Sequence, residues 1–225
     1  MSELPRFGSY ETASELGAGA IATVYLATQE PLGRKVAIKA LKSTIPPSST
    51  FATQLEREAR VLSGLSHPNI VLLLDYVKSD TQMYLVLEYI SGFSLSELLA
   101  KKPKLRPEMV AAIGAEVAFG LAHAHERGVV HRDVKPANVF LVPLDAGRAL
   151  VKLLDFGLAQ VRGGPAFDAA ALTRGGLVVG TAAYMSPEQV RGDRVVDART
   201  DVYSAAVVLY EMFAGARPFE GVTSG

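Results

Sequence analysis

The pattern of apolar and polar residues predicts strands in the first third of the chain and mainly helices in the rest. Three strands are expected over residues 10–41, and two more over 71–77 and 83–89, because β-branched, aromatic and other apolar residues are concentrated there. Apolar residues that recur every three or four positions predict a long helix over 107–127 and another over 201–214. This order of elements indicates an α+β fold.

Composition excludes several classes of protein. At 225 residues, with 49% hydrophobic and 20% charged residues, the chain is long enough for one large domain or two small lobes and is globular. Lys plus Arg and Asp plus Glu both number 23, so no overall field favours nucleic acid or an anionic membrane. The absence of cysteine excludes disulfides and fits a cytoplasmic protein. The start lacks a signal-peptide core, and the longest apolar run, over 203–216, is too short for a membrane segment.

Polar residues cluster in two short runs at the ends of predicted strands. The first run is His-Arg-Asp-Val-Lys-Pro-Ala-Asn at 131–138, where Pro136 prevents a helix from continuing. The second is Asp-Phe-Gly at 155–157, directly after an apolar strand over 149–154. Carboxylates and an amide at loop tips are the oxygen ligands that hard cations such as Mg²⁺ require. Two ordinary polar turns are the alternative interpretation, but both runs together would rarely occur by chance.

Three further segments accompany these runs. Gly-Ala-Gly at 17–19 follows the first strand, Val-Ala-Ile-Lys at 36–39 lies on the third, and Gly-Thr-Ala-Ala-Tyr-Met-Ser-Pro-Glu occupies 180–188. A dinucleotide-binding fold would need a helix straight after the glycines, whereas residues 23–26 continue as a strand. On these motifs the chain resembles the protein kinase superfamily, and Ser-Pro-Glu-Gln at 186–189 is similar to its bacterial serine/threonine members.

The resemblance implies an α+β, bilobal protein kinase-like fold over residues 10–225. It implies a small antiparallel-sheet lobe over 10–89, followed by a hinge and a larger, mainly helical lobe over 90–225. The family's last helices would be missing from the second lobe, as in a C-terminally truncated domain.

That expected truncation has consequences for the final helix. Glu188, in an apolar context, would lack the arginine that pairs with it in the family, and Thr200 is expected to cap the helix over 201–214. A longer chain is therefore expected to be more stable. The helix would expose an apolar stripe formed by Val202, Ala206, Leu209 and Phe213.

The resemblance assigns four residues of the two runs to catalysis and metal binding. Asp133 would orient the substrate hydroxyl and accept its proton, and Lys135 would neutralise charge on the transferring phosphoryl group. Asn138 and Asp155 would bind the Mg²⁺ ions that bridge the phosphates of ATP.

A lysine–glutamate pair is implied for the smaller lobe. Lys39 would bind the α- and β-phosphates and pair with a helix glutamate, either Glu56 or Glu58. Glu58 is preferred because it shares an apolar stripe with Phe51, Leu55 and Leu62, where an unpaired charge would be costly. Replacing Lys39 is expected to abolish phosphoryl transfer without affecting folding.

The remaining nucleotide contacts follow from the same resemblance. Glycines let backbone N–H groups approach phosphate oxygens, and the family's third glycine is Ala22 here. The adenine ring would bind near the hinge, with Phe140 beneath it. The implied set is Leu16, Gly17, Ala18, Gly19, Ala20, Ile21, Ala22, Thr23, Val24, Ala37, Lys39, Leu87, Glu88, Ile90 and Phe140.

Regulation and substrate docking are implied for the segment over 158–185. Arg132 would receive an activating phosphate on Thr173, although a loop threonine without a role is the alternative. Thr181 belongs to the substrate-docking segment, and Asp201 would hold the backbone of the catalytic loop. Lys135 marks the serine/threonine-directed form of the loop.

The predicted function is therefore ATP-dependent phosphorylation of serine or threonine in protein substrates. The partners would be ATP and those proteins, with no nucleic acid. The alternative is a truncated, non-catalytic ATP-binding or regulatory module. A small-molecule phosphotransferase is disfavoured, because the segment over 180–188 matches one that docks peptides.

Overall fold

The computed structural model describes residues 4–46, 49–79, 81–145, 148–156, 160–161, 182–193 and 196–219. Gly157, Thr173 and Thr181 lie outside these ranges, and the roles predicted for them stay predictions. The chain divides into two compact units. The first comprises Met1–Ser66 and Val71–Ser91, and the second comprises His67–Ile70 and Gly92–Gly225.

The first unit is built on a five-stranded antiparallel sheet with strand order β1-β2-β3-β5-β4. One helix packs against strands β4 and β5. The strands are β1 Tyr10–Ala18, β2 Ala22–Gln29, β3 Arg34–Leu41, β4 Leu73–Lys78 and β5 Met83–Glu88, and the helix is α1 Thr50–Ser63. The predicted strands and helix of this part are confirmed, with shifts of a few residues at their ends.

Alternation along β3 determines which side chains enter the core. Val36, Ile38 and Ala40 are buried and pack with aromatic residues of neighbouring strands. Ala37 and Lys39 lie on the opposite face and are less buried, because successive side chains of a strand point to opposite faces. Lys39 therefore shares a face with Ala37, as the alternation predicted.

Helix α1 buries a stripe that is shorter than predicted. Ser49 begins the helix, and its hydroxyl accepts a hydrogen bond from the N–H of Ala52. Leu55, Glu58 and Leu62 are buried. Phe51, which was predicted to share this stripe, is 44% exposed, whereas Ala52, the next residue, is buried against β5, so the buried face passes through position 52 rather than 51.

The second unit is mainly helical. It contains the helices α2 Leu95–Lys101, α3 Pro107–Glu126, α4 Pro187–Arg191 and α5 Arg199–Ala214. Its strands are β6 Phe93–Ser94, β7 Val129–Val130, β8 Val139–Pro143, β9 Ala149–Leu153 and β10 Gln160–Val161. Strands β6, β8 and β9 form one small antiparallel sheet, and β7 pairs with β10.

The short segment His67–Ile70 belongs to the second unit, where Asn69 makes its hydrogen bonds. Its side-chain Nδ2 donates to the Glu116 carboxylate at 2.6 Å and to the Val151 carbonyl at 2.8 Å. The N–H of Leu153 donates in turn to the Asn69 carbonyl. This segment was expected to fall within the smaller lobe.

Helix α5 buries three polar and three apolar residues, none of which belongs to the apolar stripe predicted for it. Its buried face comprises Thr200, Asp201, Ser204, Val207, Val208 and Met212. The helix begins at Arg199, with Ala198 at the cap position, so the prediction that Thr200 caps it is wrong. Thr200 lies inside the first turn, where its hydroxyl reaches other partners instead.

The apolar stripe of α5 lies on its exposed side. Val202 is 63% exposed and Phe213 is 52% exposed. Together with Leu209 they line an apolar groove whose other wall is α3, where Gly114 approaches Leu209 closely. Among the described residues, no helix combines the length and the apolar character needed to cross a bilayer.

We expect Gly92→Ala to destabilise the protein. A Cβ at this position would lie 2.3 Å from the Leu141 carbonyl oxygen, so the backbone would have to move. Overpacking of this kind costs about 1–3 kcal/mol, which chemical denaturation would measure as a lower free energy of unfolding.

Gly64→Ala is the matched control. Gly64 has a φ of −89°, and a Cβ there would meet the Val61 carbonyl oxygen only at 3.6 Å. Its free energy of unfolding should change by less than about 0.5 kcal/mol. Equal losses in the two variants would contradict the close approach at Gly92.

Candidate active site

A fully buried carboxylate holds the loop that follows β7. The backbone N–H groups of His131 and Arg132 donate to the two carboxylate oxygens of Asp201, each at 2.8 Å. His125 Nε2 lies 2.7 Å from one of the same oxygens. Arg132 has a φ of +67°, a conformation that costs energy in residues other than glycine. Asp201 thus ties α5 to the backbone of this loop, as the resemblance implied, and the tied segment includes a strained residue.

The imidazole of His131 links this loop to the end of β9. Its Nδ1 accepts from the N–H of Asp133 at 3.3 Å, which requires the ring proton to be on Nε2. Nε2 then donates to the Leu154 carbonyl at 2.9 Å. The ring packs on that of Phe156, with centroids 4.4 Å apart, and both side chains are completely buried. His131 therefore joins the two polar runs.

Two predicted functional side chains donate to the carboxylate of a third, Asp133. Lys135 Nζ donates to Asp133 Oδ2 at 2.8 Å, and Asn138 Nδ2 donates to the same oxygen at 2.9 Å. Asn138 Nδ2 also donates to the Asp133 carbonyl. These contacts fix the orientation of the Asp133 carboxylate beside a cationic group.

Asp155 lies next to this cluster along the backbone. The N–H of Leu154 donates to the Asn138 carbonyl at 2.9 Å, which brings the end of β9 to the end of the loop. Asp155 itself is exposed and has a φ of +56°. Asp155 therefore does not continue the extended backbone of β9. Its exposed side chain is followed directly by the buried side chain of Phe156.

The oxygen atoms at this position suit a hard divalent cation. The Nδ2 of Asn138 is bound to Asp133, so its Oδ1 is the atom that could coordinate a metal, and Asp155 offers a carboxylate on the adjacent chain segment. No group of three or more His, Cys, Asp or Glu suited to a metal occurs within the described ranges. Two protein ligands fit a Mg²⁺-type ion, which commonly completes its shell with substrate phosphates and water.

In the first unit, Lys39 pairs with Glu58. Its Nζ lies 2.8 and 2.9 Å from the two carboxylate oxygens, and the Glu58 side chain is only 3% exposed. Glu56 instead pairs at the surface with Arg60 and Lys78, which lower the pKa of its carboxyl. The structure therefore selects Glu58 over Glu56 as the partner of Lys39, and the phosphate-binding role stays a prediction.

The glycine-containing turn lies between β1 and β2. The N–H of Gly19 donates to the Ala22 carbonyl at 2.8 Å, which closes the turn. Gly17 has no positive φ, and a Cβ there would meet no described atom within 4 Å. The protein's own packing thus does not require glycine at position 17, which suits the close approach of a ligand to the backbone.

Most of the other predicted nucleotide contacts lie on or next to the five-stranded sheet of the first unit. Leu16, Gly17 and Ala18 end β1, Ala20 and Ile21 belong to the turn, and Ala22, Thr23 and Val24 begin β2. On neighbouring strands, Val24 pairs with Lys39 and Ala37 pairs with Leu87. Glu88 ends β5, where its Oε1 accepts from the N–H of Leu72, and Ile90 follows. Phe140 is half-buried on β8 of the second unit.

Arg132 is held in the second unit. Its guanidinium is half-buried and donates to the Val196 carbonyl at 3.1 Å. Burial lowers the pKa of the guanidinium, and Asp201 opposes that effect. Within the described ranges, the buried Nε has no hydrogen-bond partner.

The segment before α4 is tied to α5. Ala182–Tyr184 forms a short 3₁₀ turn, and the Tyr184 hydroxyl donates to Glu211 at 2.7 Å. Burial and this carboxylate together raise the pKa of Tyr184 well above its usual range. The Ser204 hydroxyl donates to the Tyr184 carbonyl at 2.7 Å, so two residues of α5 hold this turn.

Glu188 is not in the apolar context that the sequence suggested. Its side chain is half-buried, and Oε1 accepts a hydrogen bond of 2.5 Å from the hydroxyl of Thr200. The buried Ser186 hydroxyl lies 2.9 Å from that of Thr200. The hydrogen bond from Thr200 lowers the pKa of Glu188, and it gives this carboxylate a partner within the described chain.

Sequence reasoning missed one side chain that contacts the loop at 131–138. Gln189 Nε2 donates to the Arg132 carbonyl at 2.8 Å. The available signal was the spacing Ser-x-x-Gln over 186–189, which is typical of a capping box at a helix start.

We expect Lys39→Met to lower the free energy of unfolding, contrary to the expectation from sequence. The variant leaves the buried Glu58 carboxylate without this ammonium, and breaking a buried pair costs up to about 3–5 kcal/mol. The double variant Lys39→Met, Glu58→Gln should recover part of the loss, because no charge is then left behind. Chemical denaturation measures both effects.

Lys78→Met is the control for that experiment, because it breaks an exposed pair with Glu56 and should lower the free energy of unfolding far less than Lys39→Met does. If Lys39→Met costs no more than Lys78→Met, the buried pair does not contribute as described.

We expect Thr200→Val to lower the melting temperature near neutral pH but much less in acid. Thr200 depresses the pKa of Glu188, so its stabilisation is present above the ordinary pKa of 4.5 and is lost as the pH falls through the depressed value. Melting curves between pH 3 and pH 7 test this. In a Glu188→Gln background the same substitution should have no pH-dependent effect, and a constant difference with Glu188 present would refute the assignment.

Comparison with known proteins agrees with this geometry. Residues 10–224 match the model of the protein kinase domain family. A probable serine/threonine-protein kinase of Streptomyces coelicolor is 39% identical over 95% of this chain and 31% of its own length. Serine/threonine-protein kinase PknB of Mycobacterium leprae is 38% identical over 94% of this chain and 33% of its own length. Serine/threonine-protein kinase pkn3 of Myxococcus xanthus is 37% identical over 94% and 38%, respectively.

The chain thus spans about a third of the length of these relatives. The family they share uses ATP, with a divalent cation, to phosphorylate proteins. Because the family model matches residues 10–224 and these relatives are 37–39% identical over nearly the whole of this chain, the chain belongs to the protein kinase domain family.

Proposed function

We propose that this chain is a serine/threonine protein kinase that transfers the γ-phosphoryl group of ATP to hydroxyl groups of protein substrates. The observation that carries the proposal is the Asp133 carboxylate, held by Lys135 and Asn138 in a loop that Asp201 anchors. The alternative is a module that binds ATP but does not transfer its phosphoryl group.

Asp133 would act on the attacking hydroxyl. One carboxylate oxygen, Oδ2, already accepts from Lys135 and Asn138, so Oδ1 is the oxygen proposed to accept the hydrogen bond of the substrate. As the substrate oxygen bonds to the γ-phosphorus, the bond from that phosphorus to the leaving oxygen of ADP breaks, and Asp133 takes the hydroxyl proton. Lys135 would stabilise the negative charge on the transferring group.

Asn138 Oδ1 and the Asp155 carboxylate are proposed to bind Mg²⁺. When bound, this ion would neutralise charge on the phosphates of ATP. Lys39, oriented by Glu58, is proposed to bind the α- and β-phosphates, and the backbone over 17–19 to bind phosphate oxygens. Leu87, Glu88, Ile90 and Phe140 are proposed as the adenine contacts.

Selectivity for serine and threonine is supported by two features. Lys135 corresponds to the residue of the catalytic loop that marks serine/threonine-directed members, and the relatives described above are named serine/threonine-protein kinases. The segment over 180–188, including Thr181, is proposed to dock the substrate peptide. The need for ATP and the lack of cysteine support a cytoplasmic location for this domain.

Phosphorylation of Thr173 is proposed to regulate the activity. The buried Nε of Arg132, which lacks a partner within the described ranges, and the rest of its guanidinium would offer donors to a phosphate. A phosphothreonine brings a charge of about −1.5 to −2 and strong acceptor oxygens, which arginine binds well.

The proposal is tested by incubating the purified chain with Mg²⁺, ATP and a generic protein acceptor, and by mapping phosphosites by mass spectrometry. We expect phosphoserine and phosphothreonine on the acceptor, and phosphorylation of Thr173 on the kinase itself. Asp133→Asn should lower the rate by at least about 100-fold, since general-base catalysis contributes about 10²–10⁴. Removal of the metal by EDTA should also lower the rate, because the charge on the phosphates of ATP would no longer be neutralised.

Nucleotide binding by the same preparations separates the two functions. ATP binding without transfer by wild-type protein would identify the non-catalytic module. An active preparation without phosphate on Thr173 would remove the proposed regulation and leave the catalytic assignment intact.

A further inference from the structure

Gln189 contacts two different segments with the two ends of one side chain. Its Nε2 donates to the Arg132 carbonyl at 2.8 Å, and its Oε1 accepts from the backbone N–H of Ser186 at 3.1 Å. A carbonyl can only accept and an N–H can only donate, so these partners fix which end of the amide is nitrogen. Gln189 lies on α4, directly after the segment proposed to dock the substrate.

The Arg132 carbonyl belongs to the peptide group that leads into Asp133. The N–H of that peptide donates to His131 Nδ1 at 3.3 Å, and its carbonyl accepts from Gln189. Both ends of the peptide are therefore held by side chains. Rotation of this peptide would change the direction in which the Asp133 side chain leaves the backbone.

The hydrogen bond from Gln189 matters because the backbone beside it is strained. Arg132 has a φ of +67°, outside the regions that a residue with a Cβ prefers. Asp201 fixes the two preceding N–H groups, at His131 and Arg132, but makes no contact with the Arg132 carbonyl. The bond from Gln189 restrains the peptide between the strained residue and Asp133.

We propose that Gln189 is a positioning residue that orients Asp133 and couples the catalytic loop to the substrate-docking segment. The proposal rests on the proposed kinase function. Gln189 touches neither ATP nor the reacting hydroxyl in this scheme, and acts through the peptide that precedes Asp133. Its loss should lower kcat more than it changes the KM for ATP.

The principal variant is Gln189→Glu, which has nearly the same shape. A carboxylate can still accept from Ser186 but cannot donate to the Arg132 carbonyl, and its charge repels that oxygen. We expect kcat to fall about tenfold at pH 8, with the KM for ATP within about twofold of wild type and a similar melting temperature. Steady-state kinetics and thermal melting measure these quantities.

The pH profile distinguishes positioning from a general structural role. When protonated, the introduced carboxylic acid can donate a hydrogen bond, so it can restore the contact to the Arg132 carbonyl. The ratio of the wild-type kcat to the variant kcat should therefore narrow as the pH falls from 8 to about 4.3, where half of an unperturbed glutamic acid is protonated. Loss of a merely structural contact would leave a constant ratio or a lower melting temperature.

Two further variants keep the test decisive. Gln82→Glu is the matched control, because Gln82 Nε2 also donates to a backbone carbonyl, that of Arg6 at 3.1 Å, on an exposed surface. It should leave kcat unchanged. If Gln189→Glu does not fold, Gln189→Met, which cannot donate a hydrogen bond, should still show the loss in kcat.

The outcomes separate this proposal from the function on which it rests. An active wild type with an unchanged kcat in both Gln189 variants overturns the positioning role alone. A loss of kcat at a constant wild-type to variant ratio across the pH range overturns it as well. An inactive wild type overturns the kinase function and this proposal with it.

Discussion

The geometry of the second unit depends on one buried charge, the carboxylate of Asp201. A buried carboxylate is costly unless hydrogen bonds satisfy it, and here two backbone N–H groups and an imidazole nitrogen surround it. The N–H groups belong to His131 and Arg132, so satisfying the charge also fixes the conformation of the loop. The position of Asp133 follows from this anchor, since it is the next residue in the chain. The same contacts that stabilise the unit therefore orient its proposed catalytic base.

The first unit solves a similar problem with a different partner. Glu58 is almost completely buried on a helix, and the ammonium of Lys39 from the adjacent sheet compensates its charge. A cation that is already paired and oriented is well suited to bind an anionic ligand, because little side-chain entropy remains to be lost. In both units, a buried carboxylate would destabilise the fold if it had no partner. The contacts that satisfy it position a group proposed to act on ATP or on its acceptor.

Much of this arrangement could be predicted from local sequence, and the failures have identifiable causes. Helical periodicity distinguished Glu58 from Glu56, because a charge on an apolar stripe must find a partner. The same periodicity misplaced Phe51, because the face of α1 that packs on the sheet passes through the neighbouring Ala52, and apolar spacing alone does not fix the rotation of a helix against its partner. Thr200 and Glu188 were misjudged because their hydrogen bond joins α4 to α5, a tertiary contact that neither segment encodes alone. Gln189 was missed for the same reason: its partner is a backbone carbonyl 57 positions earlier, and backbone groups leave no signature in a sequence.

Within the part of the chain that the structure describes, two non-glycine residues have a positive φ, and they flank the proposed chemistry. Arg132 precedes Asp133, and Asp155 is itself a proposed metal ligand. Conformations of this kind cost of the order of 1–3 kcal/mol each, a large share of the roughly 5–15 kcal/mol by which a domain is stable. Glycine at either position would relieve the strain and remove the functional side chain. The domain is thus expected to show a trade-off between stability and activity at these two positions, where the more stable sequence is the less active one.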